Sequence, residues 1–340
     1  VRSRRQRQMC IRDRLKVCDR FEIKKVLSSR VNEIREKLPD TEIVEDIENI
    51  IYDPLIDLVV ICTPNVAHYH QCKMALLAGK HVVVEKPFVS NSKEGEKLIS
   101  LAKKQELILT VFHNRRWDSD FLVIKKLINE NRLGKIKQFE SHFDRWRPVK
   151  RKGKWKEKQG EGTGTLFDLG SHLIDQCLCL FGKPDSLMAD IVDQKNHDGV
   201  VDYFHLILKY KEMRAILHST SFSLENPRLS VLGENGNYIK FGLDPQEVSL
   251  TKGVDPRGEN FGKEDVSGYG LLTTNIENEI KKENITSPKG CYLEFYHQLA
   301  IAIIKKNPAL APVKPESALD VIKIIEAAQV SSLKRKWIDL

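Results

Sequence analysis

Three stretches carry side chains able to move protons or hold anions. The first is Gly164–Asp175 (GTLFDLGSHLID), where Asp168 and His172 stand four residues apart. On a helix that spacing puts both on one face. His172 is the residue type that takes and returns a proton near neutrality. Asp168 could orient it or contact a substrate. Asp175 continues the stripe, so an Asp-His-Asp metal set is conceivable, but no further ligand cluster lies nearby and none is expected. A helix N-terminus with capping acids and a satisfied histidine accounts for the same residues.

The second stretch is Glu85-Lys86-Pro87, directly after the apolar run His81–Val84. A lysine at the carboxyl end of a buried strand can donate to a hydroxyl or carbonyl oxygen and polarise it. A solvated lysine beside a strand-ending proline is the plainer alternative. The third is Ile61-Cys62-Thr63-Pro64-Asn65, which reads as strand end, turn and helix start. Backbone amides at such a helix start favour an anion, and ligands in open α/β sheets bind beyond the carboxyl ends of the strands. An ordinary strand-to-helix turn would look the same.

These residues need a frame. Phe21–Ser28 reads as a strand and Val31–Lys37 as a short helix ending before Pro39. Ile56–Cys62 is a continuous apolar run, suited to a strand buried on both faces of a parallel sheet. Asn65–Ala78 follows as a helix with Asn65 as N-cap and Gly79 as its C′ glycine. Strand His81–Val84, helix Asn91–Gln105 and strand Leu107–Phe112 continue the alternation, which predicts a doubly wound α/β sheet. After helix Ser119–Asn131 the pattern changes. Strand-like segments at 136–145, 187–192, 203–210, 214–222 and 229–241, interrupted by helix Leu169–Phe181, predict an α+β domain with a mostly antiparallel sheet. Glu234-Asn235-Gly236-Asn237 marks a hairpin. Val254–Val266 reads as a loop, and two helices, Leu293–Lys306 and Glu316–Leu333, close the chain. The expected division is 15–118 and 119–340, with the C-terminal helix packing back on the first domain.

The stretches, in this order, resemble the Gfo/Idh/MocA oxidoreductase family over about residues 15–340. Phe112–Phe121 (FHNRRWDSDF), Phe139–Arg145 (FESHFDR) and Asp168–His172 (DLGSH) are similar to its branch of NADP-dependent scyllo-inositol dehydrogenases. The resemblance implies a Rossmann domain followed by an α+β domain, and hydride transfer between nicotinamide and a polyol or sugar. It implies catalytic roles for Lys86, Asp168 and His172, with His172 handling the hydroxyl proton. Cofactor-lining positions would be Cys62, Thr63, Pro64, Asn65, His68, Glu85, Lys86 and Asn114. Trp155-Lys156 stands where relatives often carry Trp-Arg near the cofactor pyrophosphate, which makes Trp155 a further cofactor-binding position, while the lysine lacks the bidentate fork. A sugar or imine reductase of the same superfamily, or a non-catalytic NADP(H)-binding sensor, are the alternatives. The likeness also implies a homo-oligomer assembled through the second-domain sheet. For the cofactor, the second strand ends in Leu27-Ser28-Ser29-Arg30. No acid is there to bind a ribose 2′-hydroxyl, while Ser28, Ser29 and Arg30 suit a 2′-phosphate, so NADP(H) is expected.

One part of the pattern is missing. A Rossmann domain should open with a strand and G-x-G-x-x-G, yet no glycine precedes Gly79. The expected first strand, phosphate loop and most of the first helix are not legible, which could leave the chain inactive. Residues 1–14 (VRSRRQRQMCIRDR) are expected to be non-native, or else a disordered basic tail. They hold six arginines and one acid, and so account for most of the net +8. The remainder is close to balanced, which removes the electrostatic case for a nucleic-acid partner. No apolar run approaches the ~18 residues of a membrane span. Seven scattered cysteines without C-x-x-C suit reduced thiols, and a cytoplasmic location is expected.

Overall fold

The computed structural model describes residues 18–149, 160, 162–196 and 199–340. The chain forms two compact units. One comprises residues up to Phe112 with Leu293–Leu319, the other His113–Tyr292 with Asp320–Leu340. The division falls ahead of the expected 118, because the sheet of the first unit ends with the strand before Phe112.

In the first unit the expected alternation is present. The strands are β1 (Lys25–Leu27), β2 (Glu42–Val44), β3 (Leu58–Ile61), β4 (His81–Val84) and β5 (Leu109–Val111). Between them lie α1 (Val31–Lys37), α2 (Glu48–Ile51), α3 (Asn65–Leu77) and α4 (Ser92–Lys104). All strand pairs are parallel, but they form two sheets: β1–β2, and β3–β4–β5. Val82, Val83 and Val84 are fully buried, which explains why the run reads as continuously apolar. Each such side chain contributes about 1.5–3 kcal/mol of burial. α4 is capped by Asn91, whose Oδ1 accepts from the Glu94 amide at 3.1 Å, with Lys103 and Lys104 in its last turn. Gly79 follows α3 at φ +75°, as the C′ reading required. Helix α5 (Ser119–Asn129) belongs to the second unit and α6 (Leu293–Ile304) to the first. The returning segment 293–319 is tied to the first unit's sheet. Thr110 Oγ1 donates to the Val313 carbonyl at 2.8 Å, and Phe112 meets Phe295 edge-on at 4.8 Å.

The second unit is built on a nine-stranded sheet. Its strands are β6 (Ile136–His142), β7 (Ser186–Val192), β8 (Tyr203–Lys209), β9 (Arg214–Ser219), β10 (Leu229–Gly233), β11 (Gly236–Lys240), β12 (Gly270–Ile276), β13 (Glu279–Ile285) and β14 (Ile338–Asp339). Their order is β13-β12-β11-β10-β6-β9-β8-β7-β14, antiparallel except for β6 beside β9. Side chains alternate. Phe139, Ser141, Leu217, Phe204 and Leu206 are buried, while Glu140, His142, His205 and His218 on the other face are half-buried. Helix α7 (Ser171–Phe181) packs on the buried face, preceded by a π-helical turn, Leu166–Gly170. Helices α8 (Gln246–Thr251) and α9 (Pro315–Lys334) complete the described helices longer than a 3₁₀ turn. The hairpin at Gly236 forms as expected, whereas β12 and β13 extend a sheet the sequence pattern ended at β11. Edge strand β13 is exposed at all but its last residue.

Candidate active site

In the first unit the predicted residues gather at the carboxyl ends of the strands. Cys62 and Thr63 follow β3, and Glu85 and Lys86 follow β4. The Glu85 amide donates to the Ile61 carbonyl at 2.9 Å, which brings the two strand ends side by side. Lys86 and Glu85 are both buried, and the Lys86 amide donates to Glu85 Oε2 at 3.1 Å. The Lys86–Pro87 peptide is cis. His68, expected to line the cofactor, is fully buried. Its Nδ1 lies 2.9 Å from the Pro87 carbonyl and its Nε2 3.1 Å from that of Thr63. The ring thus bridges the turn after β3 and the turn after β4. Pro64, not Asn65, occupies the N-cap of α3, and it offers no side-chain cap to the first amides.

Ser28, Ser29 and Arg30 follow β1. Ser28 Oγ accepts from the Arg30 amide at 3.1 Å, and Arg30 Nη1 lies 3.6 Å from Glu33 Oε2. Ser28, Cys62 and Thr63 line one cavity of about 520 Å³. Asn114 opens the 3₁₀ turn Asn114–Trp117, which belongs to the second unit. Trp155 lies outside the described residues, as do residues 1–14.

In the second unit, Asp168 sits in the π turn and His172 in the first turn of α7. The four-residue spacing therefore crosses a stretch with i→i+5 hydrogen bonding, and the simple α-helical face is rephased. His172 is buried, with its ring 6.5 Å from that of His113 and 6.4 Å from that of Phe143. Asp175, the other acid of the stripe, is taken by an arginine: Arg116 donates from Nε to Oδ2 at 2.8 Å and from Nη2 to Oδ1 at 2.6 Å. Burial works against the Asp175 carboxylate, but Arg116 and then His113 outweigh it and hold its pKa below the usual range.

Sequence reasoning missed the arginine cluster around Phe143. Arg115, Arg228 and Arg145 lie 4.7, 5.0 and 5.6 Å from the Phe143 ring centroid. Arg115 donates to Asp118 at 2.9 Å and to Glu247 at 2.6 Å. Arg228 pairs with Asp120 at 2.7 Å and donates to Gln176 of α7 at 2.8 Å. Gln176 in turn donates to the Arg115 carbonyl at 2.8 Å. Arg145 differs from its neighbours. Burial, and then the charge of Arg147, push its guanidinium down to about 10, while Asp168 opposes them. Asp168 is thus the leading counter-charge of the Arg145 guanidinium. The runs FHNRRWDSDF and FESHFDR contained Arg115, Phe143 and Arg145, but Arg228 lies outside both, and Glu247 is 132 residues from Arg115.

The chain thus combines a parallel α/β unit with a lysine at its strand ends and an α+β unit with a buried histidine, the two-domain plan of a nucleotide-dependent oxidoreductase. Residues 6–113 match the oxidoreductase family NAD-binding Rossmann fold, and residues 125–340 its C-terminal alpha/beta domain. Among curated relatives, scyllo-inositol 2-dehydrogenase (NADP(+)) IolW of Bacillus subtilis is 42% identical over 327 residues, 96% of this chain and 90% of that protein. The uncharacterized oxidoreductase YdgJ of Escherichia coli is 39% identical over 92% of this chain and 90% of its own length. The solved structure of the putative oxidoreductase yvaA from Bacillus subtilis superposes with a TM-score of 0.91 at 40% identity, covering 96% of this chain and 94% of that one. The chain belongs to the Gfo/Idh/MocA oxidoreductase family. No helix among the described residues is long and apolar enough to cross a membrane.

Proposed function

We propose that this chain carries the machinery of an NADP-dependent dehydrogenase acting on a CH–OH group of a cyclic polyol or sugar, with a scyllo-inositol-like ring as the favoured substrate. The observation that carries the reading is the buried His172, close in sequence to Asp168, in a chain 42% identical to a scyllo-inositol 2-dehydrogenase.

His172 accepts the hydroxyl proton in oxidation and returns it in reduction. Lys86 donates to the reacting oxygen and stabilises the charge that develops there. Asp168 binds a substrate hydroxyl and, with Arg145, sets the local charge. His68 is a positioning residue: its ring fixes the turn that carries Lys86. Bound NADP(H) would supply the hydride chemistry. Ser28, Ser29 and Arg30 suit its 2′-phosphate, and Cys62, Thr63, Pro64 and Asn65 its nicotinamide half, with Glu85 and Asn114 as further contacts. No glycine occurs among residues 1–78, so the residues proposed here account for the 2′-phosphate and nicotinamide ends of the cofactor only. The half-buried face of the nine-stranded sheet would receive a second copy of the chain, and six free cysteines among the described residues suit a reducing cytoplasm.

The test is NADP+ reduction with a polyol panel, run beside NADPH binding. Turnover with an inositol, severely lowered by His172→Ala with NADPH affinity nearly unchanged, supports the reading. Tight NADPH binding without turnover of any polyol or sugar overturns it in favour of a sensor. Equal rates in wild type and mutant remove His172 from the chemistry.

A further inference from the structure

A row of histidines crosses the half-buried face of the nine-stranded sheet, opposite the face that carries α7 and His172. His142 of β6 stands in register with His218 of β9, and His218 with His205 of β8. Neighbouring strands run about 4.7–4.9 Å apart. The ring centroids accordingly stand 5.3 Å apart for His142 and His218, and 5.6 Å for His205 and His218. Asp144, two residues beyond the end of β6, reaches the first pair. His142 Nδ1 lies 3.4 Å from Asp144 Oδ2, and His218 Nδ1 lies 2.9 Å from Asp144 Oδ1. One donor atom from each of the three falls within 4.8 Å of the other two. Both Nδ1 atoms are shut off from solvent, and neither makes a hydrogen bond despite that proximity.

We propose that His142 Nδ1, His218 Nδ1 and the Asp144 carboxylate form a site for one divalent transition-metal ion, with Zn²⁺ as the type. Neutral imidazole nitrogen and carboxylate oxygen are donors such an ion takes. Tetrahedral ligands about 2.0–2.1 Å from the ion stand about 3.3 Å from one another, and the two separations above bracket that value. The residues behind the donors hold them for this use. His142 Nε2 meets Glu140 Oε2 at 3.3 Å, so a proton kept on Nε2 leaves the Nδ1 lone pair free for a metal. Glu140 in turn accepts from Gln138. The Asp144 carboxylate is fixed by the Thr220 amide, which donates to Oδ1 at 2.9 Å, and by Asn226 Nδ2, which donates to Oδ2 at 2.6 Å. Solvent takes the remaining coordination position. His205 lies on the far side of His218 and is not a ligand. In the metal-free protein both rings face carboxylates alone. The bound ion joins the carboxyl end of β6 to that of β9, and its role is structural, since His172 is on the opposite face of the sheet.

The test strips the full 340-residue chain with EDTA and titrates it with Zn²⁺ against a chromophoric chelator. One Zn²⁺ per chain is expected. Glu140→Gln should weaken binding by about 10–100-fold, the usual loss for a residue that orients a ligand, and His218→Gln or Asp144→Asn by more. His205→Gln should leave the affinity nearly unchanged. Circular dichroism in EDTA checks that each variant is folded. X-ray absorption at the zinc edge of the wild-type complex needs no variant, and should show nitrogen and oxygen ligands with two imidazoles. Equal affinity in wild type and a folded His218→Gln overturns the proposal. So does sulfur in place of imidazole around the ion, which would assign it to the thiols. One ion per two chains overturns it as well, because the site would then be shared between copies.

Discussion

Replacing Asp175 with asparagine keeps the shape of the side chain and removes one charge. The partner left behind is Arg116, whose side chain is 16% exposed and which spends two donors on that carboxylate at 2.6 and 2.8 Å. Bidentate arginine–carboxylate pairs are among the stronger polar contacts, and breaking a buried one typically costs about 3–5 kcal/mol because the orphaned ion stays buried. Arg116 retains slight solvent access, and the amide oxygen introduced by Asp175→Asn would still accept one hydrogen bond. The lower end of that range, about 3 kcal/mol, is therefore expected. Equilibrium urea unfolding followed by tryptophan fluorescence reads it, because Trp117 adjoins the pair in sequence. Arg116→Gln should cost a similar amount, and the double substitution much less than the sum. The pH dependence has a definite sign. The folded pKa of Asp175 is depressed, so its contribution is complete above the unfolded value of about 3.9 and is lost as pH falls through the folded one. Asp175→Asn should therefore flatten the acid limb. A loss below about 1 kcal/mol, or additive single and double variants, would refute the view that this pair anchors α7 and with it His172.

A second pH effect belongs to the half-buried face of the sheet. His142 lies 3.4 Å from Asp144 and 3.3 Å from Glu140, and His218 lies 2.9 Å from Asp144. Burial opposes the charged form of His142, but Asp144 and then Glu140 outweigh it and raise its pKa. Its contribution is complete below the unfolded value of about 6.5 and disappears as pH rises through the raised folded value. Melting temperature against pH should fall across that window in wild type but not in His142→Gln, and parallel curves would remove His142 as the cause. Gly233→Ala should lower the melting temperature, since a Cβ there would stand 2.1 Å from the Leu133 carbonyl oxygen and overpacking of this kind costs about 1–3 kcal/mol. An unchanged melting curve would mean that the β6–β10 edge yields freely at Gly233.

How much of this was legible depended on whether a residue's partners were near it in the chain. β4 announced itself, because burial on both faces writes an unbroken apolar run; β3 is equally apolar in sequence, although Leu58 and Val60 are only half-buried. The Asp168–His172 spacing was visible, but the π turn was not, since one additional residue in a turn leaves no mark on a periodic pattern. The arginines around Phe143 could be read as a motif but not as a cluster. Arg116 meets Asp175 across 59 residues, and Arg115 meets Glu247 across 132. β12 and β13 escaped because Glu279–Ile285 is polar on both faces, and only pairing along β12 makes a strand of it.

That polar edge strand also bears on whether a further strand can pair with the sheet. A nine-stranded sheet ending in a free edge is a template onto which further chains can pair without limit. Here the terminal strand reads Glu279-Ile280-Lys281-Lys282-Glu283-Asn284-Ile285, with charges on both of its faces, and Arg132 reaches Glu283 at 2.6 Å. An incoming strand would have to bury those ammonium and carboxylate groups against its own side chains. Growth in the plane of the sheet is thereby discouraged at this edge.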